Sequence, residues 1–293
     1  MDEKVYGYMD WPRIEAIVYG EETAPRDVMG PRITQDGVLI QGFFPDAEEV
    51  SVISGKKTYV CEKEDEAGYF AVLLPVRKVP EYRFLIKMGE TETECYDPYA
   101  FPCQITEEEE KAFCAGVYYE AYKKLGAHPV EIKGVKGTLF AVWAPNAVSV
   151  NIAGDFNGWI GRATIMHRMP MSGIFELFVP EVGDGDIYKY EVHGVKGGEV
   201  LLKADPYGNS ADHDPEGASV VADVSAFQWN DGDWMKERHR FDDRKQPVSI
   251  YETSLEEWKS AEELVEFLAE EDFTHVELHP VMEYLDDITG GYS

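Results

Sequence analysis

Two stretches of the chain carry the same order of apolar and polar positions, one from Gly37 to Ala100 and one from Gly137 to Gly208. Each opens with alternating apolar residues that run into an aromatic and a proline. In the first these are Val38, Ile40, Phe43, Phe44 and Pro45; in the second, Leu139, Ala141, Trp143 and Pro145. A run ending Val-Ser-Val follows, at Ala47–Val52 and Ala147–Val150. Gly68 and Phe70 then lead a strand to Leu74 and Pro75, as Gly173 and Phe175 lead one to Val179 and Pro180. A Tyr-basic-aromatic strand comes next, Tyr82-Arg83-Phe84 against Tyr188-Lys189-Tyr190, and both copies close on Asp-Pro-Tyr, at Asp97–Tyr99 and Asp205–Tyr207. Short alternating runs between Gly, Pro and Asp turns predict antiparallel strands. An offset of about 100 residues is too long for a solenoid repeat and fits two tandem β-sandwiches.

The flanks follow other periods. Ile14, Ile17 and Val18 stand at helical spacing before Gly20, a stop signal. Glu107 to Glu110 open a helical insert whose apolar residues are Phe113, Val117 and Tyr118, and a second short helix is expected over Tyr119–Leu125. Trp229–Lys245 is charged and aperiodic and reads as a linker. Val248–Tyr251, Ala261–Ala269 and Phe273–Leu278 read as strand, helix and strand, a βαβ unit. Such a unit leaves apolar surface bare on its own, so the sequence is expected to stop inside a third domain. The expected domains are 1–106, 107–240 and 241–293.

Composition narrows the partners. The chain has 56 Asp and Glu against 27 Lys and Arg, a net charge of −29, which disfavours nucleic acid and anionic membranes. A neutral partner such as a sugar polymer meets no such repulsion. No run of 18 apolar residues suggests a membrane span. The acidic N-terminus lacks the regions of a signal peptide, and the 4 cysteines form no C-x-x-C pair. A cytoplasmic protein with reduced thiols is expected.

Few residues carry recognisable chemistry. Asp155-Phe156-Asn157-Gly158-Trp159 places a tight Asn-Gly turn before a tryptophan. An exposed indole there is a platform for the apolar face of a pyranose, its N–H free to hydrogen-bond; the alternative is an indole packed over the end of the sandwich. Trp143 lies in an alternating strand and is expected in the core. Lys189 faces opposite to Tyr188 and Tyr190, either as a partner for a sugar hydroxyl or as a solvated strand lysine. His275, Glu277 and His279 share one face of a strand. Without another identifiable ligand they are read as a polar barrel interior rather than a metal site. Asp184/Asp186, Asp212/Asp214 and Asp286/Asp287 fall in turns and define no acid–base pair.

The assembled residues resemble the bacterial 1,4-α-glucan branching enzymes of the α-amylase superfamily, glycoside hydrolase family 13. Leu125-Gly126-Ala127-His128, Phe140–Ala147, Gly154–Trp159, Ser172–Pro180, Tyr188–Glu191 and Lys203–Tyr207 are similar in order and spacing to that family's second N-terminal domain, a carbohydrate-binding module of family 48. The first copy resembles the extra N-terminal domain of many such enzymes. Ile250-Tyr251-Glu252, Phe273–Leu278 and Pro280–Glu283 resemble the first strands of the catalytic (β/α)8 barrel. The run after the first strand, Ser254-Leu255-Glu256-Glu257-Trp258, departs from the family's His-Leu-Gly-Ser-Trp, and Ser293 stands where the family has Gln.

The resemblance implies a mainly β fold of two immunoglobulin-like sandwiches followed by the first part of a barrel. It implies a retaining transferase that cleaves α-1,4 and forms α-1,6 linkages through a glycosyl-enzyme, with no metal or organic cofactor. The catalytic residues are expected beyond residue 293, so this stretch alone is expected to be inactive. The implied partner is α-glucan: glycogen, amylose or amylopectin. Gly291-Tyr292 resembles the family's Gly-Tyr step, whose tyrosine lines a sugar subsite, and Tyr292 joins Trp159 and Lys189, the candidates read from the residues above. A glucan-binding protein without catalysis, or a purely structural one, are the alternatives.

Overall fold

The computed structural model describes residues 3–194, 200–212, 217–240, 245 and 247–279. Tyr292, Asp214, the Asp286/Asp287 pair and the Pro280–Glu283 run lie outside the described residues. The chain divides into two compact units: the residues up to Ser210 with Ala218–Asp223, and Ala211–Gly217 with the residues from Val224 onward.

The first unit contains both sandwiches. The first is built from β1 (Gly30–Ile33), β2 (Val38–Phe43), β3 (Glu49–Ser54), β4 (Lys57–Val60), β5 (Glu62–Asp65), β6 (Tyr69–Leu74), β7 (Arg83–Met88) and β8 (Thr91–Cys95). They form sheets of order β1-β2-β6-β5 and β4-β3-β7-β8. The second sandwich has β9 (Gly126–Ile132), β10 (Val135–Trp143), β11 (Ala147–Gly154), β12 (His167–Arg168), β13 (Ile174–Pro180), β14 (Ile187–Gly194) and β15 (Val200–Lys203). One sheet runs β12-β13-β10-β9; in the other β14 pairs with β11 on one side and with β15 and Ser219–Val220 on the other.

The repeat holds at the level of strand register. Val38 lies opposite Leu74 as Thr138 lies opposite Val179, and Val52 opposite Phe84 as Ile152 opposite Tyr190; Val150, which pairs with Val192, thus corresponds to Val50 rather than Val52, and the two Val-Ser-Val runs are offset by two residues. Gly68 and Gly173 both have positive φ, and a Cβ on either would strike the proline that follows β2 or β10, Pro45 or Pro145, at 2.8 or 2.7 Å. The Asp-Pro-Tyr turns are alike in their bonding. Asp97 accepts from the Tyr99 amide at 2.8 Å and from the Tyr82 hydroxyl; Asp205 accepts from the Tyr207 amide at 2.8 Å and from Tyr188 and Tyr190 at 2.7 and 2.9 Å.

The structure also extends the repeat beyond what the sequence pattern displays. Each sandwich is preceded by a helix and a 3-10 turn, Trp11–Val18 with Pro25–Asp27 and Glu107–Cys114 with Ala121–Lys123. Each then enters its first strand through a glycine of positive φ, Gly30 or Gly126. A Cβ on Gly30 would meet the Tyr99 carbonyl at 3.0 Å, and one on Gly126 the Tyr207 carbonyl at 2.8 Å. The first strand of each copy is therefore clasped by the turn that ends it.

The two sandwiches share a core. Ile14, Ile17, Met29, Phe43, Tyr69 and Tyr99 pack in one cluster with Phe140, Val150, Phe175 and Tyr188. The Tyr99 hydroxyl donates to the Ile165 carbonyl at 3.1 Å and accepts from the Ile165 amide at 3.0 Å. Ser149 donates to the Gly20 carbonyl at 2.7 Å. Two buried carboxylates bind the connecting segment to the second sandwich. Glu176 accepts from the amides of Gln104 and Ile105, and Glu110 from the amides of Met171 and Ser172.

Three expectations are corrected. Tyr119–Leu125 is a single 3-10 turn, because Leu125 is drawn under the second sandwich beside Ile105 and Ala141 and Gly126 already belongs to β9. Trp229–Lys245 is not all linker: Gly232–Glu237 is helical, supported by an ion pair of Lys236 with Asp233 at 3.0 Å and by Arg238 over the Trp234 ring. Trp143 is not in the core but 53% exposed. On β10 it is Phe140 and Val142 that face the opposing sheet, while Leu139 and Ala141 lie under other segments. Strand β9 pairs with β10 only as far as Ala141, so Trp143 overhangs and rests edge-on against Phe113.

In the second unit Ile250–Thr253 and His275–Leu278 pair in parallel around the helix Ala261–Glu270, the expected βαβ arrangement. Tyr251, Trp258, Phe267 and Phe273 form its aromatic cluster. Glu252 lies opposite Glu277, and His279 is within 3.0 Å of Glu277 and 3.3 Å of Glu252. Both carboxylates are exposed.

Burial pushes the Asp97 carboxyl up to about 6, against the pull of the bonds from Tyr82 and Tyr99. Burial raises Glu176 and Asp205 as well. A raised carboxyl binds its proton more tightly folded than unfolded. Its contribution is therefore present at acid pH and lost as pH rises through about 6. Replacing Asp97 with Asn should flatten the pH dependence of unfolding free energy between pH ~4 and ~6 by up to about 3 kcal/mol, read by urea denaturation across pH. Tyr99→Phe should cost about 1–3 kcal/mol in the same measurement, because the buried amide and carbonyl of Ile165 lose their partner.

Candidate functional site

The candidate site begins where β11 ends. Gly154 is extended, and a Cβ there would strike the Ile187 carbonyl at 2.5 Å and the Phe156 ring at 2.7 Å. The chain then makes one 3-10 turn, Asp155–Asn157, and reverses through two consecutive left-handed residues, Gly158 at φ 62° and Trp159 at φ 63°. A bulky residue rarely adopts that conformation, and such strain persists only where neighbouring contacts enforce it.

Asn157 supplies most of those contacts. Its side-chain oxygen accepts from the Gly154 amide at 3.0 Å, and its amide group donates to the Ile152 carbonyl at 2.7 Å and the Thr164 hydroxyl at 2.9 Å. The Trp159 amide donates to the Gly154 carbonyl at 2.9 Å. Phe156 packs on Phe140 of the core. The indole is 41% exposed. Its N–H is not free for a ligand, as the sequence suggested, but donates to Asp155 at 2.9 Å. That bond fixes the ring and leaves its face as the available surface.

Lys189 lies on β14 opposite Ala153, the residue before Gly154, so it belongs to the same end of the β11–β14 pair as the Trp159 loop. It is half-buried, whereas Tyr188 and Tyr190 on either side are fully buried, as their alternation required. The structure thus places Trp159 and Lys189 at one end of one sheet. Asp155 and Asn157, which position the indole, are legible in the sequence only as part of a turn; an Asp four residues before an exposed Trp is the available signal. Of the acidic turn residues, Asp186 accepts from the Gly183 amide at 2.7 Å, the local role expected of it, whereas Asp184 accepts from the distant Asp223 amide at 2.9 Å.

Residues 124–208 match the family model for carbohydrate-binding module 48, the isoamylase N-terminal domain, and residues 10–99 match that for the N-terminal domain of alpha-1,4-glucan branching enzyme GlgB. The chain resembles the N-terminal region of the bacterial 1,4-alpha-glucan branching enzymes. It is 37% identical to the enzyme of Saccharophagus degradans over 95% of its own length and 41% of the relative's. It is 36% identical to that of Rhodospirillum rubrum over 100% of its length and 42% of the relative's, and 38% identical to that of Rubrobacter xylanophilus over 95% and 40%. The chain therefore spans about two fifths of the curated relatives it matches. Among solved structures, pullulanase type I from Bacillus subtilis str. 168 complexed with maltose aligns over 86% of this chain and 38% of its own, at 17% identity and a TM-score of 0.38. The carbohydrate-binding match contains the whole Trp159 loop and Lys189, and the branching-enzyme match covers the first sandwich. Both assignments agree with the resemblance drawn from the sequence.

Asn157→Ala should lower stability by about 1–3 kcal/mol, because it leaves the Gly154 amide and Ile152 carbonyl unpaired. Thermal unfolding would record the loss, and Trp159 fluorescence should shift as the ring loses its fixed position.

Proposed function

We propose that the second sandwich holds a neutral α-glucan chain against the face of Trp159, with Lys189 as a hydroxyl partner. The observation that carries this is the indole itself: exposed, held in a strained backbone, and anchored through its N–H to Asp155. A ring fixed in that way loses little freedom when a sugar stacks on it. The match to a carbohydrate-binding module supports the ligand class, and the net charge of −29 suits a ligand without charge.

The protein in which this region works is, on this reading, a cytoplasmic 1,4-α-glucan branching enzyme, and the region positions the glucan on which transfer takes place. Holding a long acceptor near a glycosyl-enzyme favours transfer over hydrolysis. Tyr292 is a further contact on the resemblance alone. The four free cysteines agree with a reducing compartment.

Native affinity electrophoresis in gels with and without glycogen tests the reading. The chain should be retarded by glycogen, and Trp159→Ala should reduce the retardation by about tenfold in apparent affinity while leaving the melting transition in place. Equal retardation of the two proteins would refute the role of Trp159. No retardation of either would refute glucan binding by this region.

A further inference from the structure

The Trp159 loop borders a cleft that the second sandwich does not form alone. A cavity of about 570 Å³ lies along the seam of the two sandwiches, within the usual size of a ligand pocket. Asn157, Gly158 and Ile160, on both sides of Trp159, line one wall. The first sandwich supplies the facing wall, with Met88, Thr93 and Glu94 among its residues. Glu181, from the end of β13, lines the cleft as well.

We infer that the glucan chain held on Trp159 continues into this seam, so that the first sandwich is part of the same binding site. The inference rests on the reading of Trp159 given above and extends it to a domain to which that reading assigns no contact.

Three observations converge on it. The cleft is lined by Asn157, Gly158 and Ile160, the residues flanking Trp159, so a polymer held on that loop lies beside it. Its lining matches a polyhydroxylated ligand. Apolar surface from Met88, 44% exposed, and Ile160 suits pyranose faces, while the carboxylates of Glu94 and Glu181 and the hydroxyl of Thr93 suit sugar hydroxyls. Three lining carboxylates, Asp46, Glu94 and Glu181, in a chain of net charge −29 also repel an anionic ligand. Finally, Glu181 is held at φ 66°. Of the four described residues other than glycine with positive φ, Glu181 lines this cleft and Trp159 stands between two residues that line it, Gly158 and Ile160, and strain in non-glycine residues gathers at ligand clamps.

The test compares a short with a long maltooligosaccharide by titration calorimetry, using maltotriose and maltoheptaose. In Glu94→Gln and Met88→Ala, both on the first sandwich, maltoheptaose affinity should fall by about tenfold while maltotriose stays within about twofold. Glu181→Gly should also weaken maltoheptaose binding, yet keep or raise the melting temperature, since glycine relaxes the left-handed backbone; its loss of affinity cannot then be ascribed to unfolding. Trp159→Ala should weaken both ligands. In the unmutated chain, the amide resonances of Thr93 and Glu94 should shift with maltoheptaose. If the first-sandwich variants bind maltoheptaose like wild type while Trp159→Ala still weakens it, the site ends at the second sandwich and the inference is overturned. If Trp159→Ala changes neither ligand, the reading of Trp159 fails, and this one with it.

Discussion

Each sandwich is closed by a buried carboxylate that holds its final turn to the Tyr-basic-aromatic strand before it. In the first, Asp97 accepts from the backbone of Tyr99 and from the hydroxyl of Tyr82, just ahead of β7. In the second, Asp205 does the same with Tyr207, Tyr188 and Tyr190. A buried carboxylate without such donors would be strongly unfavourable, so the aspartate and its tyrosines are required together. The closure sets the position of everything that follows it. Because Asp97 fixes the turn, Tyr99 enters the second sandwich at Ile165, and the two domains share a core rather than a flexible tether.

Much of this is legible in the order of residues alone. The strands and Gly-x-Phe steps return in the same registers and the Asp-Pro-Tyr turns in the same bonding, though the Val-Ser-Val runs, alike in sequence, are offset by two residues in the sheets. What alternation does not convey is which face of a strand will be covered, and by what. Leu139 and Ala141 are buried, but under the connecting segment, and the third residue of that face, Trp143, overhangs the end of β9. The helices before each sandwich escape the repeat for a related reason. Pro25–Asp27 and Ala121–Lys123 share geometry but no residue pattern, and their equivalence becomes visible only through Gly30 and Gly126, each pressed against the carbonyl of its own closing tyrosine.

The candidate site shows the same division. Asn157-Gly158 marks the turn and Trp159 the exposed ring, because both depend on local preferences. The fixing of the ring by Asp155, and the convergence of Asn157 on Gly154, Ile152 and Thr164, depend on three-dimensional closure of the loop. Lys189 can be assigned a face but no neighbour from the sequence, since strand period gives direction and not register.

Rigidity at the seam is what gives the cleft beside Trp159 a definite shape. Asp97 anchors the linker from the first sandwich, Tyr99 pins it to Ile165, and Glu176 and Glu110 hold the segment that follows to the second sandwich. With that joint fixed, Glu94 of one sandwich and Gly158 of the other stay in the walls of one cavity. A site divided between domains on a loose tether would lose freedom on binding that this joint has already removed. The strained backbones of Glu181, in the cleft wall, and of Trp159, in the adjoining loop, fit the same logic, since such strain can be maintained only by a framework that does not relax around it. The first sandwich then has a role that a spacer could not fill: it completes a wall whose geometry the shared core determines.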